Sequence, residues 1–309
     1  MPTVSVNIPC YNSAPHIRET IASVLGQTLK DLEVIVVDDG STDDTGKIVA
    51  SFNDARIKYH YQANKGLSNA RNKAIGMSGG EYIAFLDHDD VWVPTKLEKQ
   101  VSLLNSHPEV AFAYSNYFWL FPNGRQKLVL KGEQPRGNVL ESFLGDYPIG
   151  ILTAMVRRQT IGSLGLYFDE GVTVCEDYDF FVRLAYAAQA GYIAEPLAFY
   201  RIHAGMQSIK FGDRYADELV YVLGKLEKIY PGLHKKYAGA IGRMNSRMDF
   251  MRAKTALNAD DALKARSILR SGKMRTGRNF FMLYCATYLP PKLLKLLAGL
   301  NARYISRTR

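Results

Sequence analysis

The stretch Tyr82-Ile83-Ala84-Phe85-Leu86-Asp87-His88-Asp89-Asp90 decides the fold class of this chain. It predicts a short apolar strand that runs directly into an acidic turn. Carboxylates this close in sequence repel each other unless a cation or hydrogen-bond donors neutralise them, and oxygen ligands suit Mg²⁺ or Mn²⁺. The alternative is helix capping, because Val91-Trp92-Val93-Pro94 precedes a predicted helix and Asp is favoured at an N-cap. Both interpretations of the acidic turn stay open at this point.

Upstream of this stretch, strand-like runs alternate with segments of helical periodicity. The strands are predicted at 4–9, 32–37 and 57–61. The helices are predicted at 14–27, 44–52 and about 67–77. Repeated strand–helix units predict an α/β fold, with a mostly parallel, Rossmann-like sheet flanked by helices.

The pattern changes from about residue 110 into a mixed region. Extended segments are predicted at 152–156 and 192–201, and a helix at 176–188. Beyond about 213 the chain reads as helices, with one apolar stripe formed by Val220, Leu223, Leu226 and Ile229. We therefore expect an α/β domain at 1–212 and an all-helical C-terminal extension at 213–309.

Polar clusters end all four predicted strands of the first half. They are Pro9-Cys10-Tyr11-Asn12, Asp38-Asp39-Gly40, Asn64-Lys65-Gly66 and Asp87-His88-Asp89-Asp90. Ligands of open parallel sheets bind at the carboxyl ends of the strands, so these turns predict one shared site. Arg71 lies early in the helix after the third cluster, where it could hold an anion or a base carbonyl, although most arginines are surface residues.

Two further motifs lie beyond residue 170. Glu176-Asp177-Tyr178-Asp179 opens a predicted helix, where acidic residues are favourable in themselves, but a carboxylate could also serve there as a general base. Tyr200-Arg201-Ile202-His203 ends an extended segment. A lone His is more often structural, yet His203 could ligate a metal or bind a pyrophosphate.

Several classes of protein find no support in the sequence. There is no GxGxxG after a strand, no GxxxxGK[ST] phosphate loop and no GxSxG nucleophile elbow. The three cysteines lie far apart, which argues against disulfides or a zinc site and favours a reducing, cytoplasmic compartment. The N-terminus shows no signal-peptide pattern.

The formal charge of +9 is concentrated at one end of the chain. Residues 262–309 contain 11 Lys and Arg and no acidic residue, which leaves a net charge of −2 for residues 1–261. The segment 273–309 combines these cations with aromatic and aliphatic residues, so it fits an anionic membrane surface at the inner face of the cytoplasmic membrane. A helical pair that packs on the body or on a second subunit of a homodimer fits equally well. Nucleic acid is not expected, because no recognition motif accompanies the charge.

The ordered motifs over about residues 3–205 resemble the inverting family 2 glycosyltransferases, which have the GT-A fold. The resemblance rests on the four strand-end clusters, on Ala70-Arg71-Asn72, and on the Glu176 and Tyr200 motifs described above. It implies a nucleotide-sugar half at about 1–110 and an acceptor half at about 111–212. It also implies a UDP-sugar donor, Mn²⁺ or Mg²⁺, and a hydroxyl acceptor on a glycan or lipid-linked glycan of bacterial surface polysaccharide biosynthesis.

The resemblance also implies roles for single residues. Asp177 would be the catalytic base, Asp89 would ligate the metal, and His203 would touch the metal or the diphosphate. The remaining donor-binding residues would be Pro9 and Tyr11 beside the nucleobase, Asp39 hydrogen-bonded to it, Asn64, Arg71 in support of the same pocket, Asp87 at the ribose, and His88 as a spacer in the acidic turn.

Two other functions stay open beside transfer. A catalytically inactive, nucleotide-sugar-binding scaffold would not need Asp177. A nucleotidyltransferase would also place carboxylates around a metal at strand ends, but it would lack the Glu176-Asp177 motif.

Overall fold

The computed structural model describes residues 1–206, 210–271 and 278–288. Contacts divide the chain into two compact units. The first contains Met1–Phe143 and Tyr147–Met206, and the second contains Leu144–Asp146 and the chain from residue 207 onwards.

Nine strands of the first unit form one mixed sheet within the described residues. They are β1 (Val4–Cys10), β2 (Leu32–Asp38), β3 (Ile57–Tyr61), β4 (Tyr82–Phe85), β5 (Val91–Trp92), β6 (Val110–Leu120), β7 (Gln126–Leu128), β8 (Met155–Arg157) and β9 (Gln189–Arg201). Their order is β3-β2-β1-β4-β8-β6-β9-β5, and β7 pairs with β6. The predicted strands of the first half are confirmed to within one or two residues.

Helices flank this sheet and form most of the described part of the second unit. The first unit holds α1 (Ile17–Leu25), α2 (Thr45–Ala50), α3 (Leu67–Met77), α4 (Lys96–Ser106), a 3₁₀ turn (Ile151–Thr153), α6 (Arg158–Leu164) and α7 (Glu176–Ala187), and α5 (Leu140–Gly145) runs from the first unit into the second. The described part of the second unit holds α8 (Tyr215–Ile229), α9 (Leu233–Lys236), α10 (Ala238–Asn258), α11 (Ala262–Ser271) and α12 (Arg278–Ala286).

Strand direction brings the functional segments to one edge of the sheet. β1, β2, β3 and β4 run parallel, and all seven residues of both β1 and β2 are buried. β8 is antiparallel to both β4 and β6, so β6 and its parallel neighbour β9 run in the same direction as β4. The carboxyl ends of β1, β2, β4 and β9 therefore lie at a common edge.

One expectation for the helical region is wrong in detail. Val220 and Ile229 are 48% and 46% exposed, although both were expected in the apolar stripe of α8. The buried stripe instead contains Leu219, Val222, Leu223 and Leu226. Periodicity alone left the stripe free to rotate by about one residue around the helix, and packing within the unit decides its position.

Candidate active site

The acidic turn after β4 is not a helix cap. α4 begins only at Lys96, with Thr95 as its N-cap residue, and the two-residue strand β5 separates it from Asp90. Helix α1 supports the turn, because the Thr20 hydroxyl shares its proton between the carbonyl oxygens of His88 and Asp90, at 2.8 and 2.9 Å. The capping interpretation of the turn is therefore wrong, and its carboxylates need another explanation.

The end of β9 closes over this turn. Arg201 donates its backbone N–H to Asp90 Oδ1 and its Nε to the Asp89 carbonyl, both at 2.9 Å. His203 Nε2 lies 2.8 Å from Asp89 Oδ2, and the two side chains are 24% and 17% exposed. Burial and the carboxylates of Asp89 and Asp87 raise the pKa of Asp90 well above its usual value. Two motifs more than a hundred residues apart thus meet in one site.

A second histidine lies behind His203. The His16 ring centre is 4.9 Å from that of His203, and burial together with the charge of Arg201 lowers the pKa of His16. Sequence reasoning missed His16, because a single His just before a helix gives no signal of a site.

Arg71 joins the acidic turn to the motif at the start of α7. Its guanidinium is 2% exposed, with Nη1 at 2.5 Å from Glu176 Oε1 and Nη2 at 2.7 Å from Asp87 Oδ1. Although burial disfavours its charge, the carboxylates of Asp87 and Glu176 raise the pKa of Arg71. The structure thus brings Arg71, Asp87 and the Glu176-Asp177 motif together, and both arms of the guanidinium are occupied.

Asp177 keeps some contact with solvent beside this ion-pair network. Burial of its carboxyl and the charge of Glu176 raise the pKa of Asp177 to about 7. Tyr117 of β6 faces the same region, and burial and then the charges of Asp177 and Asp90 raise its pKa to about 12. A carboxyl with a pKa near neutrality suits proton transfer at cellular pH.

The turns after β1 and β2 lie at the same edge of the sheet as the acidic turn. Asp39 is 4% exposed and accepts hydrogen bonds from the backbone N–H groups of Lys65 and Gly66 and from Gln62 Nε2, at 2.7 to 2.9 Å. These bonds fix the loop between β3 and α3. Gly40 lies so close to Asn64 that a Cβ would meet the Asn64 nitrogen at 2.9 Å, and its φ of +87° also favours glycine.

The other residues expected at the donor differ in exposure. Pro9 is buried within β1, whereas Tyr11 is 49% exposed and Asn64 is exposed. The Tyr11 ring is therefore open to solvent, whereas Pro9 offers little surface.

Comparison with known proteins identifies the family. The sequence model described as Glycosyl transferase family 2 matches residues 5–158. The chain is 34% identical over 215 residues to the Escherichia coli UDP-Glc:alpha-D-GlcNAc-diphosphoundecaprenol beta-1,3-glucosyltransferase WfaP, which covers 67% of this chain and 80% of that protein. The chain belongs to glycosyl transferase family 2. The resemblance on which the sequence-based prediction rested is therefore confirmed.

Some family 2 relatives are longer than this chain. An uncharacterized glycosyltransferase of Rickettsia prowazekii is 34% identical over 209 residues, which are 66% of this chain and 65% of that protein. A Rickettsia conorii glycosyltransferase matches over only 36% of its own length.

Solved structures share the fold of this chain. The Pyrobaculum calidifontis mannosyltransferase PcManGT, in complex with GDP-Man and Mn²⁺, superposes with a TM-score of 0.64 at 19% identity and covers 98% of this chain and 86% of its own. S. aureus TarS in complex with UDP-GlcNAc gives a TM-score of 0.58 at 20% identity, with 87% and 91% covered. The predicted GT-A fold is confirmed, with a helical C-terminal part.

The Asp89 carboxylate is the donor that fits a hard divalent cation, because such ions prefer oxygen ligands, whereas imidazole is a softer donor. Asp89 offers a carboxylate and His203 an imidazole nitrogen at the same point. Within the described part of the chain, no three His, Cys, Asp or Glu side chains gather into a metal site. Mg²⁺ typically takes one or two protein carboxylates together with substrate phosphates, so a small protein contribution is compatible with a metal held jointly by protein and diphosphate.

Proposed function

We propose that the chain is an inverting glycosyltransferase that moves a sugar from a UDP-sugar to a hydroxyl group of a glycan or lipid-linked glycan in bacterial surface polysaccharide biosynthesis. The observation that carries the proposal is the Arg71 bridge, which joins Asp87 of the acidic turn to Glu176 next to Asp177. The turn proposed to bind the diphosphate and the proposed base would thereby be held at one edge of the sheet. The similarity to the UDP-Glc-dependent WfaP and to TarS in complex with UDP-GlcNAc supports a UDP-linked donor.

On the donor side, residues of several strand-end turns would bind the nucleotide. Tyr11 and Pro9 would flank the nucleobase, and Asp39 would bond to it directly or through the loop that Asn64 belongs to. Asp87 would accept hydrogen bonds from the ribose while Arg71 holds it in place. His88 contributes its backbone to the turn, through the bond from Thr20.

On the acceptor side, Asp177 would take the proton of the attacking hydroxyl. The oxygen then displaces the nucleoside diphosphate from the opposite face of the anomeric carbon, so the configuration inverts. Asp89, with His203 at 2.8 Å, would hold the Mn²⁺ or Mg²⁺. When bound, such a cation offsets the negative charge that develops on the leaving diphosphate.

The lipid-linked acceptor and the basic C-terminal region together favour a position at the inner face of the cytoplasmic membrane. WfaP, by its name, acts on a diphosphoundecaprenol-linked GlcNAc. No helix in the described residues is long and apolar enough to cross a bilayer. Most of the segment 273–309, on which the membrane prediction rests, lies outside the described residues.

The test of this function is product analysis. The chain is incubated with a panel of UDP-sugars, Mn²⁺ and a synthetic GlcNAc-diphospho-lipid, and products are separated by chromatography with mass detection. We expect UDP release, acceptor mass increased by one sugar, and a β-linkage by NMR when the donor is α-linked.

Other products would identify the alternatives. Pyrophosphate release in a parallel incubation with UTP and a sugar 1-phosphate, with no UDP released from the UDP-sugars, would indicate a nucleotidyltransferase. Donor binding in a thermal-shift assay without turnover on any acceptor would indicate a scaffold.

A further inference from the structure

One face of α3 is fastened to the loop that leads into α7. The Ser68 hydroxyl donates to the Val172 carbonyl at 3.2 Å. Asn72 makes a paired contact with the Phe168 backbone, donating from Nδ2 to the carbonyl at 2.9 Å and accepting at Oδ1 from the N–H at 2.8 Å. The helix therefore orders the backbone just before Glu176 and Asp177, although these segments are about a hundred residues apart in sequence.

Arg71 lies between Ser68 and Asn72 on this face of α3, and of these three residues it is the charged one. Its two arms reach Asp87 and Glu176, and its guanidinium carbon lies 5.3 Å from the centre of the Phe168 ring. At 2% exposure, little water competes for these contacts. A planar, permanently charged fork can bridge two carboxylates in fixed directions, which a flexible ammonium cannot do equally well.

The groups that act on the Asp177 carboxyl come from several elements. Glu176 on α7 and Asp87 after β4 oppose its ionisation, whereas Arg71 on α3 favours it. The phenol of Tyr117 on β6 also faces it. Without Arg71, Asp177 would share a partly buried site with two uncompensated carboxylates.

We infer that Arg71 is a positioning residue that binds Glu176 and Asp87 together beside Asp177 and so keeps Asp177 ionised for catalysis. The inference rests on the proposed role of Asp177 as the base. It gives Arg71 a role in the acid–base step in addition to support of the donor pocket. It also explains why a cation is buried between two motifs that would otherwise repel each other.

The primary measurement follows Asp177 directly and does not depend on turnover. Protein labelled with ¹³C at the Asp carboxyl carbons is titrated by NMR, and the Asp177 signal is the one missing from Asp177→Asn. In Arg71→Met we expect the titration midpoint to rise by about one pH unit or more. In Arg71→Lys, which restores a point charge, we expect a smaller rise. In Glu176→Gln, which removes the nearest like charge, we expect the midpoint to fall.

The second measurement is the pH profile of kcat/KM for transfer. The acidic limb should move upward in Arg71→Met and downward in Glu176→Gln. Asn72→Ala is the matched control, because it loosens the same loop without changing charge. It should lower the rate at every pH and leave the limb in place.

These variants separate positioning from a purely structural role. If Arg71→Met and Asn72→Ala lower the rate equally at all pH values with no movement of the midpoint, the inference is overturned. If Arg71→Met does not fold, Arg71→Lys decides alone: a midpoint that stays or falls overturns the inference. If the unaltered chain transfers no sugar, the proposed function fails, while the NMR titration still tests the role of Arg71.

Discussion

Asp177 combines a functional benefit with a cost in stability. An unfolded Asp loses its proton near pH 4, whereas burial and Glu176 raise the pKa of the folded Asp177 to about 7. As pH rises between these two values, the unfolded chain ionises first and is thereby stabilised relative to the folded chain. The cost is complete above about pH 7 and absent at low pH. The same shift would suit the proposed role of Asp177 as a base at neutral pH.

Asp177→Asn should therefore lose activity and gain stability. We expect kcat to fall by about 10²–10⁴-fold while the donor still binds, because the amide cannot take the acceptor proton. In thermal unfolding, the variant should melt above the unaltered chain at pH 8, and the difference should shrink to near zero at pH 4. A transfer rate close to normal would remove Asp177 from the role of base.

Asp89 provides the residue-scale test of the metal. Asp89→Ala should weaken nucleotide binding measured by calorimetry with Mn²⁺, and should change it little in the presence of a chelator, because Asp89 is expected to act through the cation. The control is Asp44→Ala, since Asp44 pairs with Lys47 at the surface. Equal affinities of the two variants with Mn²⁺ would argue against Asp89 as a ligand.

At the scale of elements, α4 begins with a buried lysine. Lys96 has no exposed surface, donates to Gln100 Oε1 at 2.6 Å and lies 4.0 Å from the centre of the Trp92 ring. Burial lowers the pKa of Lys96 well below its usual value. As pH falls, the unfolded chain gains a proton on this lysine before the folded chain does, so the folded state loses stability.

Lys96→Met should remove this pH dependence. Loss of the hydrogen bond to Gln100 lowers the free energy of unfolding by a roughly constant amount. The free energy of unfolding of the variant, compared with that of the unaltered chain, should rise by about 1.4 kcal/mol per pH unit as pH falls between the unfolded and folded pKa values of Lys96. Urea unfolding at pH 9.5, 8 and 6.5 measures it. Lys73→Met, at an exposed position of α3, is the control and should show a flat difference. A flat difference for Lys96→Met would mean that the amine is charged in the folded state.

The parallel half of the sheet could be predicted from the sequence because its signals are local. Each of β1 to β4 is an apolar run that a helix links to the next, so order and direction follow from general rules. β8 could not be predicted to insert antiparallel between β4 and β6, since three residues carry too little pattern. β5 has only two residues, and the sequence around it favoured a helix start.

In the site, too, the sequence predicts local features but not contacts between distant residues. The sequence marks Asp87, Asp89 and Asp177 as carboxylates in turns or at a helix start. It does not indicate that Arg71 pairs with Glu176, 105 residues away, because any surface carboxylate could equally be its partner. The ion-pair partners of charged residues become known only when the order of the strands in the sheet is known.

At the scale of the whole molecule, charge is divided along the chain. Residues 1–261 carry a net charge of −2, and residues 262–309 carry +11. A nearly neutral catalytic body does not favour contact with an anionic surface, whereas each Lys or Arg near such a surface contributes about 1 kcal/mol. The attraction is electrostatic, and it weakens as the Debye length falls from about 10 Å at 0.1 M salt to about 3 Å at 1 M.

The chain should therefore pellet with vesicles that contain anionic phospholipid at about 0.1 M salt, and far less at about 1 M. Eight of the basic residues lie within 273–309, so substituting these eight by Gln keeps the length of the chain and lowers its formal charge from +9 to +1. We expect that variant to stay in the supernatant while it still transfers sugar to a water-soluble acceptor analogue. Vesicles of neutral phosphatidylcholine are the control. Pelleting that the eight substitutions leave unchanged would assign this region to protein contacts, either within the chain or with a second subunit.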